Sequence, residues 1–279
     1  MIRVSRRRRC PVCDRPDWCL IAADGSAAIC QRVESDHRVG DAGWLHRLRD
    51  DVTPPPISPR PRRQRPSIDW AARQERYLRH LTPDGRAHIA RDLGVSNTTI
   101  NAMTIGWCQS RGVYTWPLRD GHGRIVGVRT RASQGAKRAD TGSDGNGLIY
   151  GPDLASRYLL IAEGPTDATA LADCGYLSVV GLPSCRAGTG YVIDLIRRLQ
   201  PTLVLLIPDR DDAGLSGFAD VAASIIDSGA IPLTRIDAVV PPPDAPDARA
   251  WARKNREDLT KTIAESIARI TTRSTEATA

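Results

Sequence analysis

The sequence predicts an α/β fold built on a parallel sheet with helices on both faces. From residue 158 onward, apolar runs of strand length alternate with helix-like stretches, at 158–162, 167–174, 177–181, 190–199, 203–208, 213–228 and 231–239. Two of the apolar runs end on acidic residues, at the edge where ligands meet a parallel sheet. A cysteine-containing segment near the N-terminus predicts a small additional module, which a chain of 279 residues can accommodate.

Residues 1–50 are the predicted zinc-binding module. They contain too few apolar residues for a core of their own, and a bound metal supplies the folding free energy that such a segment lacks. A Cys-x2-Cys pair and two further thiols give the ligand set Cys10, Cys13, Cys19 and Cys30. Because Cys13 and Cys19 are close in sequence, His37 or His46 could replace one thiol. Disulfides are the alternative, but the sequence shows no secretory signal. We expect the other cysteines to be small buried hydrophobic residues: Cys108, Cys174 and Cys185.

Residues 51–67 are rich in proline and arginine and are expected to form an extended linker. The chain has a formal net charge of +7, and much of the excess precedes residue 70, at Arg6, Arg7, Arg8, Arg9, Arg60, Arg62, Arg63 and Arg65. Basic runs are often merely solvated, but beside a zinc module and a linker they favour contact with phosphates. No apolar run is long enough to span a bilayer, so we expect a cytoplasmic protein with no membrane partner.

Residues 68–106 are predicted to form a small helical segment. The turn around Gly94 is similar to that of a helix-turn-helix, but a pair of short helices joined by a glycine is more often a packing unit. Residues 107–156 form a β-rich segment, in which two β-like runs flank a turn from Asp120 to Gly123 and predict a hairpin. Its second strand alternates apolar residues with arginines, so one face is basic. That face could bind phosphates, or it could protect a sheet edge from aggregation.

Acidic residues follow the apolar runs at 158–162 and 203–208. Glu163 and Asp167 belong to the first cluster, and Asp209 and Asp211 to the second. Because parallel strands end at the same sheet edge, these carboxylates are expected to meet there and to bind a hard divalent cation. The second cluster alone could be an ordinary acidic helix N-terminus. Glu163 favours a metal site over an ordinary helix N-terminus. A carboxylate directly after a buried strand loses solvation, and that loss costs free energy unless a partner compensates it.

The two clusters, Glu-Gly-x-x-Asp followed by Asp-x-Asp-x-Ala-Gly, resemble the TOPRIM domain that bacterial-type primases, topoisomerases and some nucleases share. The resemblance implies a Rossmann-like parallel sheet over 157–252. It also implies catalytic roles for Glu163, Asp209 and Asp211, which with Asp167 would bind magnesium. Phage-like primases carry a further acid before a short helix. Asp247 matches it best and would be a further magnesium ligand, and Asp244 is the alternative.

Primases also carry a basic subdomain before TOPRIM, and the segment 107–156 resembles it at Pro117, Arg119, Asp120, Gly123, Arg124, Gly127, Arg131 and Lys137. In that family, basic residues of this subdomain line the groove for template and nucleoside triphosphate. The resemblance therefore implies phosphate contacts for Arg119, Arg129, Arg131, Lys137 and Arg138.

Together with the zinc module, this similarity implies a primase of the kind found in phages, plasmids and other mobile elements. It would synthesise short RNA primers on single-stranded DNA from ribonucleoside triphosphates, using Mg²⁺ or Mn²⁺ in a two-metal site. The sequence has no phosphate-binding loop of the helicase type, so a replicative helicase would be a separate partner.

Two alternatives remain open at this stage: a metal-dependent TOPRIM nuclease, and a non-catalytic DNA-binding accessory protein. No tyrosine stands in a recognisable topoisomerase context. Residues 253–279 are expected to form a charged C-terminal helix and a disordered tail, with the tail beginning at Thr271.

Overall fold

The computed structural model of the chain describes residues 1–49, 68–133, 137–154, 157–185 and 187–276, with 274–276 described by backbone only. The chain divides into two compact units, Met1–Pro66 and Ser67–Ala279. The predicted linker at 51–67 lies outside the described residues. Among the residues that are described, no helix is both long and apolar enough to cross a membrane.

The N-terminal unit contains an antiparallel sheet with strand order β1-β2-β3-β4. Its strands are β1 (Ile2–Arg3), β2 (Leu20–Ile21), β3 (Ala27–Cys30) and β4 (Trp44–Arg47), with a 3-10 turn at Gly40–Ala42. The buried cluster at its centre combines Val4 and Ile21 with cysteines. So small an apolar core is marginal by itself, as the composition of this segment predicts.

The second unit opens with the helices α1 (Trp70–Arg79), α2 (Pro83–Leu93) and α3 (Asn97–Ala102). Each begins at a side chain that accepts a backbone N–H of the first turn: Asp69, Thr82 and Ser96. Gly94 ends α2 with a φ of 73°, in the left-handed region that favours glycine. Leu93 and Ile100 are fully buried in the main core. The turn between α2 and α3 is therefore accounted for by packing.

A small antiparallel sheet follows, with strand order β5-β6-β7-β8. Its strands are β5 (Gly106–Cys108), β6 (Val113–Arg119), β7 (Ile125–Arg131) and β8 (Lys137–Ala139). The predicted hairpin is β6 with β7, and Asp120 closes its turn by accepting the backbone N–H groups of His122 and Arg124 at 3.0 Å. Because β7 lies between β6 and β8, protection of a sheet edge does not explain its arginines.

The larger sheet has the strand order β13-β12-β10-β11-β9, and β10 to β13 are parallel. Its strands are β9 (Ile149–Tyr150), β10 (Tyr158–Ala162), β11 (Val179–Gly181), β12 (Leu203–Ile207) and β13 (Ile236–Ala238). The helices α4 (Pro165–Asp173), α5 (Thr189–Leu199) and α6 (Asp212–Asp227) connect the parallel strands, with a 3-10 turn at Leu233–Arg235 before β13. The chain ends with α7 (Ala248–Lys254) and α8 (Arg256–Glu276).

Successive residues of β10 are buried on opposite faces of this sheet. Leu160 packs in the cluster that includes Leu171 of α4 and apolar residues of α7 and α8. Leu159 packs in the cluster that includes Leu195 of α5 and Phe218 of α6. A strand that is covered on both faces is apolar throughout, which explains the unbroken apolar runs in the sequence. The predicted parallel sheet with helices on both faces is confirmed.

Strand β9 belongs to the larger sheet, although its position in the sequence suggests the small one. It falls in the segment 107–156, yet it pairs antiparallel with β11 of the larger sheet, with Tyr150 opposite Val180. Only two residues long, β9 carries too little of the period-two pattern to specify a partner. Long-range pairing therefore decides its place.

The predicted disordered tail is wrong for residues 271–276, because α8 continues to Glu276. Ile263 and Ile270 of this helix are fully buried. Since they are spaced by seven residues, they lie on one helix face, and their burial attaches α8 to the core. Helical stability in this segment comes from that packing, which the polar composition of the tail does not reveal.

Candidate active site and metal centre

The acidic residues predicted as a site lie where two neighbouring strands end. Glu163 follows β10 directly, and Asp209 lies just beyond β12. These strands are adjacent, with Ala162 opposite Ile207, and the chain runs from β10 to β11 on one side and from β12 to β13 on the other. Such a topological switch point leaves a crevice at the carboxyl ends of the strands. Within it, the backbone N–H of Asp209 donates to Oε2 of Glu163 at 3.3 Å.

Gly214 in the first turn of α6 makes this approach possible. A Cβ atom at this position would lie 2.8 Å from Oε2 of Glu163 and 2.6 Å from the carbonyl oxygen of Asp209. Asp211 caps the same helix, and its Oδ1 accepts the N–H of Gly214 at 2.6 Å. The Asp-x-Asp-x-Ala-Gly pattern therefore has a local structural reason for its glycine as well as for its acids.

Of the two candidates for the further acid, Asp247 lies near the other acids and Asp244 does not. Asp247 caps α7 by accepting the N–H of Ala250 at 2.6 Å, and α7 packs against α4. Its charge acts on both Asp167 and Asp209. Asp244 is exposed and forms an ion pair with Lys254. The packing of α7 on α4 therefore favours Asp247 as the further acid, which stays a prediction.

The carboxylates of this crevice raise one another's pKa values. Burial, followed by the charges of the neighbouring carboxylates, raises the pKa of Asp209 to about 8. Burial also raises the pKa of Glu163, to which Asp211 and Asp167 contribute. Asp167 is 2% exposed, and its burial and the charge of Asp247 raise its pKa. Buried, mutually repelling carboxylates of this kind are stabilised by a shared cation.

The carboxylates are gathered but not closed around a single point. Within the described ranges, the only set of three or more potential ligand atoms that lie within 4.8 Å of one another is that of the cysteines. The oxygen donors nevertheless suit Mg²⁺ or Mn²⁺.

One face of the small sheet presents basic residues to these acids. Arg131 pairs with Lys137 across β7 and β8, and directly paired residues share a face. Arg129 lies two residues before Arg131 and faces the same way. Trp116, paired with Arg129, donates from Nε1 to Oγ1 of Thr169 in α4 at 3.2 Å. This face therefore looks toward α4 and the acidic crevice.

Lys137 reaches the acids themselves. Its charge lowers the pKa of Glu163, Asp167 and Asp209, against the larger effect of their burial. A Cβ atom at Gly164 would lie 3.2 Å from Nζ of Lys137 and 3.0 Å from Oδ2 of Asp167. The glycine of the Glu-Gly-x-x-Asp pattern thus leaves room for the lysine.

Arg119 and Arg138, two of the predicted phosphate contacts, lie elsewhere. Arg119 donates to the carbonyl of Gly123 at 2.8 Å and stacks over Tyr150 at 6.0 Å. Arg138 pairs with Thr130, on the face of the sheet opposite Lys137. The structure thus brings Arg131 and Lys137 toward the acids, and Arg129, on the same face, donates to the carbonyl of Pro183 at 3.0 Å. Arg119 and Arg138 lie apart from the acids.

A basic cavity lies on the other face of the small sheet. It has a volume of about 650 Å³ and is lined by residues that include Arg73, Arg76, His80 and Arg111. Asp140 carries a negative charge at its wall, and it pairs with Arg111 at 2.5 Å. The cationic groups outnumber this single acid, so the cavity favours anions. No residue of the acidic crevice lines it.

In the N-terminal unit, the thiols of Cys10, Cys13, Cys19 and Cys30 form one cluster, with all Sγ atoms within 4.8 Å of one another. Sγ of Cys19 lies 3.7 Å from that of Cys13 and 3.9 Å from that of Cys30. Tetrahedral zinc with bonds of about 2.3 Å places its sulfur ligands about 3.8 Å apart. The donor set therefore fits zinc. His46 lies against the carbonyl of Val33 and His37 is exposed, so neither belongs to the set.

Backbone geometry and hydrogen bonds hold the cysteine cluster. Asp14 and Trp18 adopt left-handed φ values of 52° and 67°, which turn the short segment between Cys13 and Cys19. Arg32, which the sequence did not single out, donates its backbone N–H to Sγ of Cys30 at 3.4 Å and its side chain to Asp17 at 2.8 Å. Such contacts around the ligands orient a metal site.

Burial and mutual contact shift the pKa values of the clustered thiols in opposite directions. Burial raises the pKa of Cys13, but hydrogen bonds from the backbone of Arg15 and from neighbouring thiols lower it overall to about 7. Burial and the neighbouring thiols raise the pKa of Cys19 to about 12. Clustered thiols lose their protons together only when a cation is shared among them.

One residue near the crevice, Arg249, was missed by the sequence analysis. It lies in the first turn of α7, and its backbone N–H donates to Oδ1 of Asp167 at 3.2 Å. The only sequence signal is indirect, because an N-cap at Asp247 places residue 249 in the first turn of a helix. The packing of α7 against α4 then brings residue 249 against Asp167, and the sequence gives no sign of that contact.

No protein-family model and no curated protein sequence matches this chain. Solved structures do. The DnaG catalytic core matches with a TM-score of 0.56 and 18% identity, over 70% of this chain and 78% of that chain. The DnaG primase catalytic domain bound to single-stranded DNA matches with a TM-score of 0.55 and 18% identity, over 73% and 80%. The zinc-binding and RNA polymerase domains of the Aquifex aeolicus primase match with a TM-score of 0.54 and 15% identity, over 70% and 59%. The chain therefore shares the TOPRIM fold of primase catalytic cores.

Proposed function

We propose that this chain, whose fold is that of the DnaG primase catalytic core, is a DNA primase. It would synthesise short RNA primers on single-stranded DNA from ribonucleoside triphosphates. The observation that carries the proposal is the meeting of two oppositely charged groups of side chains. The acids at the ends of β10 and β12 lie beside the basic face of β7 and β8, with Lys137 among the carboxylates.

Glu163, Asp209 and Asp211 would hold the divalent cations, and Asp167 and Asp247 would add negative charge behind them. When bound, such cations neutralise the charge that develops on the attacking 3′-oxygen and on the pyrophosphate leaving group. Asp167 is largely buried and accepts the N–H of Arg249, so its role is to support the others.

The basic face would position the phosphates. Arg131 and Lys137 lie beside the acids, where they can bind anionic oxygens and orient a triphosphate for in-line displacement. Arg129 lies on the same face, donates to the carbonyl of Pro183 at 3.0 Å, and would add positive charge. Arg119 and Arg138 lie farther from the acids, so we assign them to contacts with the nucleic-acid backbone. The cavity of about 650 Å³ near Arg111 offers a further basic surface for template phosphates.

The cysteine cluster would bind zinc, which stabilises the N-terminal unit and presents it to the template. The arginines Arg6 to Arg9 of this unit would contribute phosphate contacts that weaken as salt rises. The unwinding of duplex DNA is assigned to a separate helicase, as the sequence analysis predicts.

A metal-dependent nuclease is the second candidate function, because the same carboxylates can hold cations that activate water. The basic residues beside the acids favour the primase, since a triphosphate brings more negative charge to the site than a single phosphodiester does. A non-catalytic DNA-binding role would leave buried carboxylates with raised pKa values unexplained.

The test is primer synthesis on single-stranded DNA with labelled ribonucleotides and Mg²⁺. Wild type would be compared with Glu163→Gln and Asp209→Asn, and with the matched controls Glu265→Gln and Asp220→Asn, whose carboxylates are exposed on α8 and α6. We expect short RNA products from wild type and both controls and none from the site variants. DNA cleavage by wild type without primer synthesis would establish the nuclease, and DNA binding without either reaction would establish the accessory role.

A further inference from the structure

Two arginines beside the acidic crevice have buried donor groups without partners. Among the described residues, Nε of Arg131 and Nε of Arg249 are both buried and have no hydrogen-bond partner. Nε of Arg129 is likewise unpaired, but the guanidinium of Arg129 already donates to the carbonyl of Pro183 at 3.0 Å. Buried polar groups are nearly always hydrogen-bonded, and a guanidinium donor that lacks an acceptor loses solvation without compensation. Such donors in a crevice indicate an acceptor that arrives with a ligand.

The two guanidinium groups also act on each other. Burial lowers the pKa of Arg131, and the positive charge of Arg249 lowers it further. The carboxylates of Asp92, Asp167 and Asp247 offset this effect only in part. Two mutually repelling cations that lie beside one crevice, each with an unpaired Nε donor, form a receptor for a multiply charged anion.

The position of Arg249 is fixed by helix α7. Asp247 caps this helix, and the N–H of Arg249 donates to Asp167, so the backbone of residue 249 is held against the acids independently of its side chain. A substitution of the side chain leaves both hydrogen bonds possible. The guanidinium can therefore be tested separately from the fold of the crevice.

The surroundings narrow the choice of anion. The carboxylates need a divalent cation, whereas Arg131 and Arg249 need oxygen acceptors. A polyphosphate that carries its own divalent cation satisfies both demands at once. A strand of template brings one charge per phosphate and no cation that it must share with these acids.

We propose that Arg249, together with Arg131, binds the metal-complexed triphosphate of the incoming nucleotide. This inference rests on the proposed function and assigns to the site a residue that the acidic and basic motifs do not contain. In Arg249 the flat guanidinium offers parallel donors to two phosphate oxygens, which a lysine ammonium does not match.

The experiment measures the dissociation constant for ATP with Mg²⁺ by calorimetry, with and without a saturating single-stranded oligonucleotide. The proteins are wild type, Arg249→Ala, Arg249→Lys and the control Arg253→Ala, which removes an exposed arginine from the same helix. Melting temperatures verify that each variant is folded. Primer synthesis then gives KM and kcat for the nucleotide, and fluorescence anisotropy gives the affinity for the oligonucleotide.

Loss of charge-assisted hydrogen bonds from Arg249→Ala should raise the dissociation constant for ATP roughly tenfold to a hundredfold. We expect Arg249→Lys to recover only part of the lost ATP affinity and Arg253→Ala to bind ATP as wild type does. The affinity for the oligonucleotide should stay unchanged in all variants. Unchanged ATP affinity, or a loss that falls on the oligonucleotide alone, overturns the proposal, as does a wild type that does not bind ATP. Arg249-dependent ATP binding by a wild type that makes no primers would refute the proposed function, while the binding of a metal-complexed triphosphate by Arg249 would stand.

Discussion

Gly214 provides the sharpest test of how closely the crevice is packed. Its substitution by alanine places a Cβ atom 2.6 Å from the carbonyl oxygen of Asp209 and 2.8 Å from Oε2 of Glu163. The backbone contact is about 0.8 Å shorter than an ordinary van der Waals contact, so the first turn of α6 or the end of β12 must move. Overpacking of this kind costs about 1–3 kcal/mol.

Gly190, in the first turn of α5, is the matched control, because a Cβ atom there has no neighbour within 4 Å. Alanine in place of a helical glycine stabilises by about 0.5–1 kcal/mol through helix propensity. Both variants gain this stabilisation from helix propensity, but only in Gly214→Ala does the added Cβ atom clash with Asp209 and Glu163. We therefore expect the two free energies of unfolding to differ by about 1–3 kcal/mol, with Gly190→Ala more stable than wild type.

Urea unfolding at pH 7 measures this difference, and primer synthesis measures its effect on the site. Movement of Asp209 relative to Glu163 by several tenths of an ångström should lower the rate of Gly214→Ala roughly tenfold to a hundredfold, because catalytic geometry tolerates little displacement. Gly190→Ala should keep the wild-type rate. Equal stability and equal activity of the two variants would refute the close approach at Gly214.

Three further predictions concern the metal, the pH dependence and the C-terminal helix. The purified protein should contain one zinc ion per chain by elemental analysis. Cys13→Ser should lose it and Cys174→Ser should keep it, and retention by Cys13→Ser would contradict the ligand assignment. Asp173 accepts hydrogen bonds from the first turn of α3, and these outweigh its burial and lower its pKa below the ordinary 3.8. Its contribution, about 1–3 kcal/mol at pH 7, is therefore present above the unfolded pKa and is lost as pH falls through the folded one. The gap in unfolding free energy between wild type and Asp173→Asn should close on acidification below about pH 4, and a gap independent of pH would contradict this. Ile263→Ala should cost about 2–4 kcal/mol in thermal or urea unfolding, against less than about 0.5 kcal/mol for the exposed Lys261→Ala. Equal effects would place α8 outside the core.

The sequence alone determined the features that depend on neighbouring residues. An unbroken apolar run predicts a strand covered on both faces, and an acid at its end predicts a carboxylate at the sheet edge, as Glu163 shows. Cysteine spacing predicts a shared cluster because few residues separate the thiols. The resemblance of these motifs, in this order, to the TOPRIM domain predicted the correct fold.

Tertiary structure alone decided which distant residues face the crevice. In β8, side chains alternate between the two faces, so one residue of register separates Lys137 at the acids from Arg138 on the opposite face. The packing of α7 on α4 places Asp247, and not Asp244, near the other acids, and it places the backbone of Arg249 against Asp167. These outcomes depend on contacts between segments far apart in the chain. Local propensity carries no information about them, because the free energy that selects them comes from burial against a distant surface.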